Sequence, residues 1–225
     1  MSDHSPLSFT PLPPAEAPKG CRRCLRLVSL RQALRKEHPD WWNAPVPAFG
    51  DPEAWLAIVG LAPGTQGANR TGRPFTGDAS GEMLFATLTK YGFVDGVFAN
   101  DPADGITLNG AIILNAVKCL PPENKPTGSE INNCRPYLKK ASRALPNLRT
   151  ILALGKIAHD SIIRMEGLRL ADHKFAHGAE HRLSGGRVLI DSYHCSRYNL
   201  NTGRLTVAMF EEVFTNALKA NATSP

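Results

Sequence analysis

From Trp55 to the end of the chain, short apolar runs alternate with longer amphipathic runs, and this alternation constrains the fold more than any other feature. Four runs predict buried strands: WLAIVGLAPG, AIILNAVKC, TILALG and RVLIDSYH. Four runs between and after them predict helices: ASGEMLFATLTKYGF, SEINNCRPYLKKASRAL, residues 156–165 and LTVAMFEEVFTNALKA. Strands that alternate with helices at this spacing are typical of a parallel sheet covered on both faces. The sequence therefore predicts an α/β fold.

The start of the chain differs from the rest, since five of its first 20 residues are prolines. Proline at that density disfavours helices and ladders, so residues 1–20 predict a mobile arm. The next run, CRRCLRLVSLRQALRKEH, predicts one basic amphipathic helix. A length of 225 residues fits one compact domain, so we expect a single domain over 21–225.

Composition narrows the class of protein further. With 26 Lys and Arg against 20 Asp and Glu, the net charge is +6, which favours a polyanionic partner. We find no run of about 18 apolar residues to span a membrane, and no basic start with an apolar stretch to act as a signal peptide. Five scattered cysteines do not predict a disulfide scaffold. We expect a cytoplasmic protein in a reducing, intracellular compartment, associated with the nucleoid if the source is bacterial.

Four of the cysteines predict a metal site. Cys21 and Cys24 form a C-x2-C pair, Cys119 follows the second strand, and Cys134 lies 15 positions later in a helix. The four thiolates converge if the N-terminal helix packs beside the second strand. Such a set holds zinc or an iron–sulfur cluster, and spacing alone does not choose between them. The alternative is that Cys119 and Cys134 are buried apolar thiols.

The ligand site is expected at the carboxyl ends of the strands, where open parallel sheets bind their ligands. Three long loops rich in glycine, polar or basic residues follow the strands: GLAPGTQGANRTGRPFTGD, KCLPPENKPTG and HCSRYNLNTGR. The first loop could cradle phosphate through its backbone, but it lacks the G-K-[ST] ending of an NTPase P-loop.

Individual residues in these loops have both chemical and structural interpretations. Asp78 precedes a helix, so it is an N-cap, a catalytic carboxylate, or both. Asn115 ends the second strand, where its amide could read a base edge or form a turn. Phe75 could anchor its loop on the core. Cys195 directly follows His194, which suggests a thiolate nucleophile activated by the histidine. Adjacent residues at a strand end point to opposite sides, however, so the pair is badly placed for proton transfer.

Together, the segments GLAPG, GRPFTGDASG, LNAVKCLPP and HCSRYN and the four surrounding cysteines resemble the uracil-DNA glycosylase superfamily, in particular its family-5 iron–sulfur branch. The resemblance runs from Cys21 to about Leu205. It implies a three-layer α/β/α domain with a four-stranded parallel sheet. It also implies a [4Fe–4S] cluster on Cys21, Cys24, Cys119 and Cys134, and removal of uracil, with other deaminated bases in prospect, from single- or double-stranded DNA.

The resemblance also assigns roles within the site. Phe75 would stack on the flipped base, Asn115 would read its edge, His194 would face its O2 and Asp78 would activate water. The first motif, with Gly60, Ala62 and Gly64, would line the base site. Two departures stand out. Leu61 and Ala62 occupy a place where other branches have a polar catalytic residue, so Asp78 must substitute for it or catalysis must lean on binding. Cys195 replaces a proline found in many relatives.

The expected reaction is hydrolysis of an N-glycosidic bond after base flipping, leaving an abasic site. No lysine stands out as an imine-forming nucleophile, so we expect a monofunctional, monomeric hydrolase without a membrane partner. Polar and basic loop residues would meet the DNA: Arg70, Arg73, Lys125, Ser196, Arg197 and Arg204. Arg197 could instead fill the gap left by the base. The alternatives are a non-catalytic, metal-stabilised nucleic-acid-binding protein and a Cys195-dependent hydrolase or transferase.

Overall fold

The structure, a computed structural model, describes residues 16–222. Its helices are α1 (Leu25–Glu37), α2 (Ala68–Thr71), α3 (Ala79–Lys90), α4 (Gly128–Arg143), α5 (Lys156–Met165), α6 (Arg197–Asn201) and α7 (Val207–Ala222). Its strands are β1 (Phe49–Gly50), β2 (Leu56–Gly60), β3 (Val94–Asp95), β4 (Thr107–Leu108), β5 (Ala111–Asn115), β6 (Thr150–Leu154), β7 (Glu180–Arg182) and β8 (Val188–Ser192). Short 3-10 turns cover Pro122–Asn124 and Ser184–Gly186.

The main sheet has six strands in the order β1-β5-β2-β6-β8-β7, and β3 and β4 form a separate two-stranded ribbon. The four central strands are parallel, with Gly60 of β2 paired to Asn115 of β5. The edge strands β1 and β7 are antiparallel to their neighbours. The expected four-stranded, all-parallel sheet is thus corrected to a mixed sheet of six. Both extra strands are too short, and β7 is too polar, to show an apolar pattern in the sequence.

The α/β prediction is confirmed, with helices packed on both faces of the sheet. Alternate side chains of each central strand enter different apolar layers. Ala57 and Val59 share one layer with residues of α4 and α5, such as Ile162. Leu56 and Ile58 share the other layer with residues of α3 and α7. Burying each such leucine or isoleucine contributes about 1.5–3 kcal/mol, so the two layers hold the sheet between its helices.

Helix starts follow their capping residues. The helix predicted from Cys21 begins at Leu25, because Cys24 is extended (φ −125°). Both Cys21 and Cys24 therefore lie in the segment before α1. At α4, Thr127 and Glu130 have the spacing of a capping box, and the box is present: the Thr127 side chain accepts from Glu130 N and the Glu130 carboxylate accepts from Thr127 N. The predicted bounds of α5 are confirmed.

The proline-rich arm is only partly within the structure. Residues 1–15 lie outside the described residues, and for them the mobile arm stays a prediction. Glu16, in contrast, contacts the domain: its carboxylate accepts from Ala48 N at 2.8 Å and lies 3.3 Å from Lys118 Nζ. Lys118 is 1% exposed, and a buried ammonium is costly without a counter-ion. The end of the predicted arm thus neutralises a charge inside the domain.

None of the helices within residues 16–222 has the length and apolarity needed to cross a bilayer.

Candidate active site

A pocket of about 310 Å³ lies at the carboxyl ends of the central strands, where the sequence predicted a ligand site. Loops after β2, β5 and β8 supply its walls. Its lining residues are Leu61, Ala62, Pro63, Gly64, Ala68, Phe75, Asp78, Ser80, Asn115, Asn124, His194 and Ser196. The expected site residues Ala62, Gly64, Phe75, Asp78, Asn115 and His194 therefore meet in one place. The volume is at the lower end of the range for small-molecule sites.

Phe75 forms an aromatic wall of the pocket. Its backbone is left-handed (φ +53°), a strained conformation for a large residue, and its side chain is buried. Its ring centroid lies 5.9 Å from that of His194, with the planes 23° apart. Gly60 permits this placement, because a Cβ there would lie 3.0 Å from the Phe75 ring and 2.8 Å from Asn115 Oδ1. Gly60 thus shapes the pocket from behind.

Asn115 brings an unused amide to the pocket. It ends β5 and is 3% exposed, yet its side chain makes no hydrogen bond to any residue of the described chain. Leaving a buried donor or acceptor unpaired costs about 1–3 kcal/mol. Buried amides without protein partners are uncommon, and one that faces a cavity is available to a ligand.

Asp78 combines the two roles that the sequence left open. Its Oδ1 accepts from Ser80 N at 3.0 Å and from Gly81 N at 3.1 Å, which caps α3. Its Oδ2 instead lies against the backbone of Gly67, where any Cβ would overlap it. The carboxylate therefore caps a helix with one oxygen and keeps the other on the pocket side.

The imidazole ring of His194 lines the pocket beside the Phe75 ring. Burial lowers its pKa, although the Asp78 charge acts in the other direction. Its imidazole is therefore neutral near pH 7, with one N–H donor and one lone pair. The ring has no hydrogen-bond partner among residues 16–222, while Asn199 Nδ2 donates to the His194 carbonyl at 2.8 Å. The main chain is held and the ring is left for a ligand.

Cys195 is part of the core. It is 0% exposed, and its thiol donates to the Ser80 carbonyl at 3.5 Å. Burial raises its pKa to about 12, so the group is a neutral thiol at physiological pH. The structure thus contradicts the alternative of a Cys195 nucleophile.

The other four cysteines line a second, apolar pocket between the start of α1, the segment after β5, and α4. All four are free thiols. Three sulfurs face an N–H donor: Asn133 Nδ2 at 3.7 Å from Cys24, Arg31 Nη1 at 3.4 Å from Cys119, and Lys118 N at 3.2 Å from Cys134. The sulfur of Cys21 lies 3.8 Å from the Tyr137 hydroxyl, and either group can be the donor. Burial raises the pKa of Cys119 to about 11 and that of Cys134 to about 12.

The buried Arg31 side chain places a positive charge beside this second pocket. Its side chain is buried at 6% exposure and donates to Cys119 Sγ and, at 2.7 Å, to the Cys21 carbonyl. Its Nε has no partner, and no carboxylate of the described residues contacts the guanidinium. A buried guanidinium without a carboxylate is costly, and thiolate ligands of a bound metal group would offset its charge.

The residues expected to contact DNA differ in placement. Arg70, Lys125, Arg197 and Arg204 are exposed on the loops around the pocket. Ser196 lines the pocket and also caps α6 by accepting from Asn199 N at 3.3 Å. Arg73 requires a correction, since it is buried and forms a bidentate ion pair with Asp104 at 2.6 and 2.7 Å. Its guanidinium is engaged in holding the loop and is not free to bind phosphate.

Sequence reasoning missed several features. Asn124 borders the pocket with a left-handed backbone (φ +56°), and Ser80, Pro63 and Ala68 complete the wall. The position of Asn124 in the loop after β5 could have indicated its place in the pocket. From that loop, only the basic residue Lys125 was predicted to contact DNA.

A buried His–Asp–His group was also missed. Atoms of His159, His181 and Asp191 that could ligate a metal lie within 4.8 Å of one another. The individual N···O distances are 2.8 and 3.0 Å, which match hydrogen bonds. The three residues come from α5, β7 and β8, so nothing in their spacing predicts the group.

Comparisons with known proteins agree with this site. Residues 47–218 match the model of the family described as "Uracil DNA glycosylase superfamily". The chain is 46% identical over 204 residues to a type-5 uracil-DNA glycosylase of Thermus thermophilus, covering 88% of this chain and 92% of the relative. A type-5 enzyme of Mycobacterium leprae is 41% identical over 207 residues (88% and 90%). A type-4 enzyme of Pyrobaculum aerophilum is 34% identical over 125 residues (55% and 56%).

The α/β fold, the pocket at the strand ends and the family match together define the class of this protein. The chain belongs to the uracil-DNA glycosylase superfamily. Within the superfamily it is a member of the type-5 family. The relatives that align with 88% of this chain are named type-5 enzymes.

The Arg73–Asp104 pair generates a prediction about stability. The Arg73 hydrogen bonds lower the pKa of Asp104 to about 2, and the Asp104 side chain is 2% exposed. Because the folded-state pKa is below the unfolded value of about 3.9, the stabilisation is present above pH 4 and is lost as the pH falls towards 2. We expect Asp104→Asn to lower the free energy of unfolding at pH 7 by about 3–5 kcal/mol, because it leaves a buried guanidinium unpaired.

Urea unfolding at pH 7 and at pH 2.5 measures this effect. The gap between variant and wild type should shrink at the lower pH, whereas the exposed Asp40→Asn should track wild type at both. A gap of equal size at the two pH values would contradict the ion pair as the source of the stability.

Proposed function

We propose that this protein hydrolyses the N-glycosidic bond of uracil in DNA and leaves an abasic site. One observation carries the proposal: the unpartnered amide of Asn115, the Phe75 ring, the His194 imidazole and the free oxygen of Asp78 all face one pocket. The relatives named type-5 uracil-DNA glycosylases, at 41–46% identity, support the same activity.

The size and position of the pocket support base flipping. A cavity of about 310 Å³ at the strand ends can admit a single base, and a base stacked inside a duplex cannot reach it. A base must therefore leave the stack, at a cost of a few kcal/mol that is smallest for mispaired bases such as uracil opposite guanine. The Phe75 ring offsets part of that cost, since stacking contributes about 1–3 kcal/mol per base.

Asn115 supports recognition of uracil. Uracil presents an N3–H donor and an O4 acceptor, which match the carbonyl oxygen and the NH₂ group of an amide held in one orientation. Cytosine presents the reverse order in the same places. The Asn115 side chain is held at the end of β5 beside Gly60 and has no protein partner, so its full hydrogen-bonding capacity is available to the base.

His194 and Asp78 support the chemical step. Cleavage of the bond between N1 and C1′ leaves its electron pair on the base and positive charge on the sugar. His194 donates a hydrogen bond to O2, where the negative charge develops, and a neutral ring suffices for this. The Asp78 carboxylate orients a water towards C1′, takes a proton from it and offsets the sugar charge.

DNA would lie across the mouth of the pocket. Four exposed basic residues surround it: Arg70, Lys125, Arg197 and Arg204. Arg197 opens α6 directly after Ser196, which itself lines the pocket. Neutralising phosphates releases counterions and supplies most of the sequence-independent affinity. Because the whole pocket comes from one chain, we propose that a monomer acts on DNA.

We also propose that the four-cysteine pocket holds a [4Fe–4S] cluster. A single zinc with Zn–S bonds of about 2.3 Å needs its sulfurs roughly 3.8 Å apart. No three cysteine sulfurs of the described chain lie within 4.8 Å of one another, which favours a larger group. Three of the sulfurs face an N–H donor, and the buried Arg31 offsets negative charge there. Cys21, Cys24, Cys119 and Cys134 would bind the irons, and the iron–thiolate bonds would tie α1, α4 and the segment after β5 together.

A cluster on four thiolates requires a reducing compartment, so we propose an intracellular, cytoplasmic site of action.

The first prediction of this proposed function concerns Asp78. Asparagine caps helices about as well as aspartate but is no base, so Asp78→Asn should retain fold and lesion binding. Its single-turnover excision on a G·U duplex should fall by about 10²-fold or more, equivalent to about 2.7 kcal/mol of barrier. Glu82→Gln, an exposed change in the first turn of the same helix, is the control and should match wild type. A wild-type rate in Asp78→Asn would leave Asp78 with the capping role alone.

The second prediction concerns the cysteines. Protein purified without oxygen should be brown and contain about four irons and four sulfides per chain. Cys119→Ala should lose iron and unfold at lower temperature, because the bonds between the three segments are removed. Cys195→Ala, at a buried cysteine outside that pocket, should keep its iron. Stoichiometric zinc without iron would show that the site holds a different metal.

The third prediction concerns the DNA face. Arg197→Ala should weaken binding to lesion DNA and reduce the salt slope by about 0.9, the value for one phosphate contact. Arg164→Ala is the matched control, since Arg164 is exposed in the last turn of α5, at the opposite edge of the sheet. Affinities measured by anisotropy at several salt concentrations test this. Equal losses in the two variants would mean that DNA does not bind at the strand-end face.

A further inference from the structure

Four histidines outside the pocket lie next to β8, the strand that ends two residues before His194. They are His159 on α5, His173 and His177 in the segment between α5 and β7, and His181 in β7. None lines the pocket. We call these four residues with Asp191 of β8 the histidine brace.

A buried ion pair anchors the brace. Asp191 is 0% exposed, and its two oxygens each meet an imidazole, Oδ1 with His159 Nδ1 at 2.8 Å and Oδ2 with His181 Nε2 at 3.0 Å. The other nitrogen of His159 lies 2.9 Å from the His173 carbonyl, which can only accept. Both nitrogens of His159 therefore carry hydrogens, and the ring is an imidazolium. Burial lowers its pKa, but the hydrogen bond and charge of Asp191 outweigh this and raise it overall.

The anchored segment runs along β8 towards the active site. Asp191 N donates to the Ala179 carbonyl at 2.9 Å, and Gly178 N donates to the Asp191 carbonyl at 2.8 Å. One step further, Tyr193 N donates to His177 Nδ1 at 3.1 Å, and the two rings stack with centroids 5.1 Å apart. His194 is the next residue. Its ring has no hydrogen-bond partner in the described chain and packs against the Phe75 ring, so its direction also depends on how the backbone around it is held.

We propose that His177 is a positioning residue, which in its neutral form accepts the Tyr193 N–H and thereby aims His194 into the pocket. This inference rests on the proposed function, because it takes His194 to act on the bound base. It predicts that excision depends on the protonation of a residue that touches neither base nor water.

The surroundings of His177 favour its neutral form. Burial lowers its pKa, while the Met209 backbone and the Glu212 carboxylate on α7 act in the other direction. Arg204 is a further charged group near this stack, since its guanidinium lies 4.6 Å from the centre of the Tyr193 ring on which His177 packs. Protonating Nδ1 would place an N–H against the Tyr193 N–H and abolish the hydrogen bond. Excision should therefore decline as pH falls through a value below the ordinary histidine pKa of about 6.5.

Two variants separate this role from simple packing. His177→Asn keeps an acceptor at the Nδ1 position but does not titrate. It should retain near-wild-type single-turnover rates at pH 8 and lose the acid decline attributed to His177. His177→Phe keeps the stacking on Tyr193 but removes the acceptor. Its rate should fall about tenfold, the effect of one lost hydrogen bond on the barrier, with DNA affinity unchanged within about twofold.

The experiment uses the full, cluster-loaded chain and single-turnover excision on a G·U duplex from pH 5 to 9, with affinity measured in parallel. His38→Asn is the control, since His38 stacks on Trp41 at the end of α1 and has no contact with the brace. An acid decline in His177→Asn identical to wild type, or a wild-type rate in His177→Phe, overturns the inference. If His177→Phe fails to fold, the pH profile of His177→Asn decides. A wild-type protein that leaves uracil in place would instead overturn the proposed function.

Discussion

Parallel pairing of β5, β2, β6 and β8 is the constraint on which the rest of the structure depends. Because the four strands run in one direction, their carboxyl ends meet at one edge, and the three loops that follow them enclose one pocket. Asn115 and His194 come from strands separated by two others in the sheet, yet they face the same cavity. The register that pairs Gly60 with Asn115 places a residue without a side chain beside the one that reads the ligand.

Buried charge pairs then secure the loops that this edge leaves exposed. Arg73 and Asp104 hold the loop that carries Phe75 and Asp78, and His159 and Asp191 hold the segment beside His194. Each pair is nearly inaccessible to solvent, so separating its members would leave an unpaired charge in a medium of low dielectric. Such pairs add little net stability over apolar packing, but they strongly disfavour other loop arrangements. In this protein they lie next to the side chains that we propose to be catalytic, whose positions must be held within a fraction of an ångström.

The segment after β5 joins the two pockets. Asn115 borders the first pocket, Cys119 borders the second, and Asn124 returns to the first. Lys118 between them is buried and paired with Glu16. A cluster bound to Cys119 would therefore stiffen the same loop that supplies two pocket residues. The second pocket thus has a direct structural path, through this segment, to the pocket that contains Asn115.

The sequence by itself determined the strand and helix order, the caps of α3 and α4, and the edge at which ligands bind, because these follow from local periodicity and from the direction of parallel strands. It also marked Phe75, Asp78, Asn115 and His194, since each lies in a motif next to a strand end or a helix start. Only the tertiary structure decided which charged residues are exposed. Arg70 and Arg73 look alike in the same loop, but Asp104 arrives from a distant turn and buries one of them. The short edge strands, the thiol state of Cys195 and the histidine brace were likewise decided by packing, because each depends on partners that are far away along the chain.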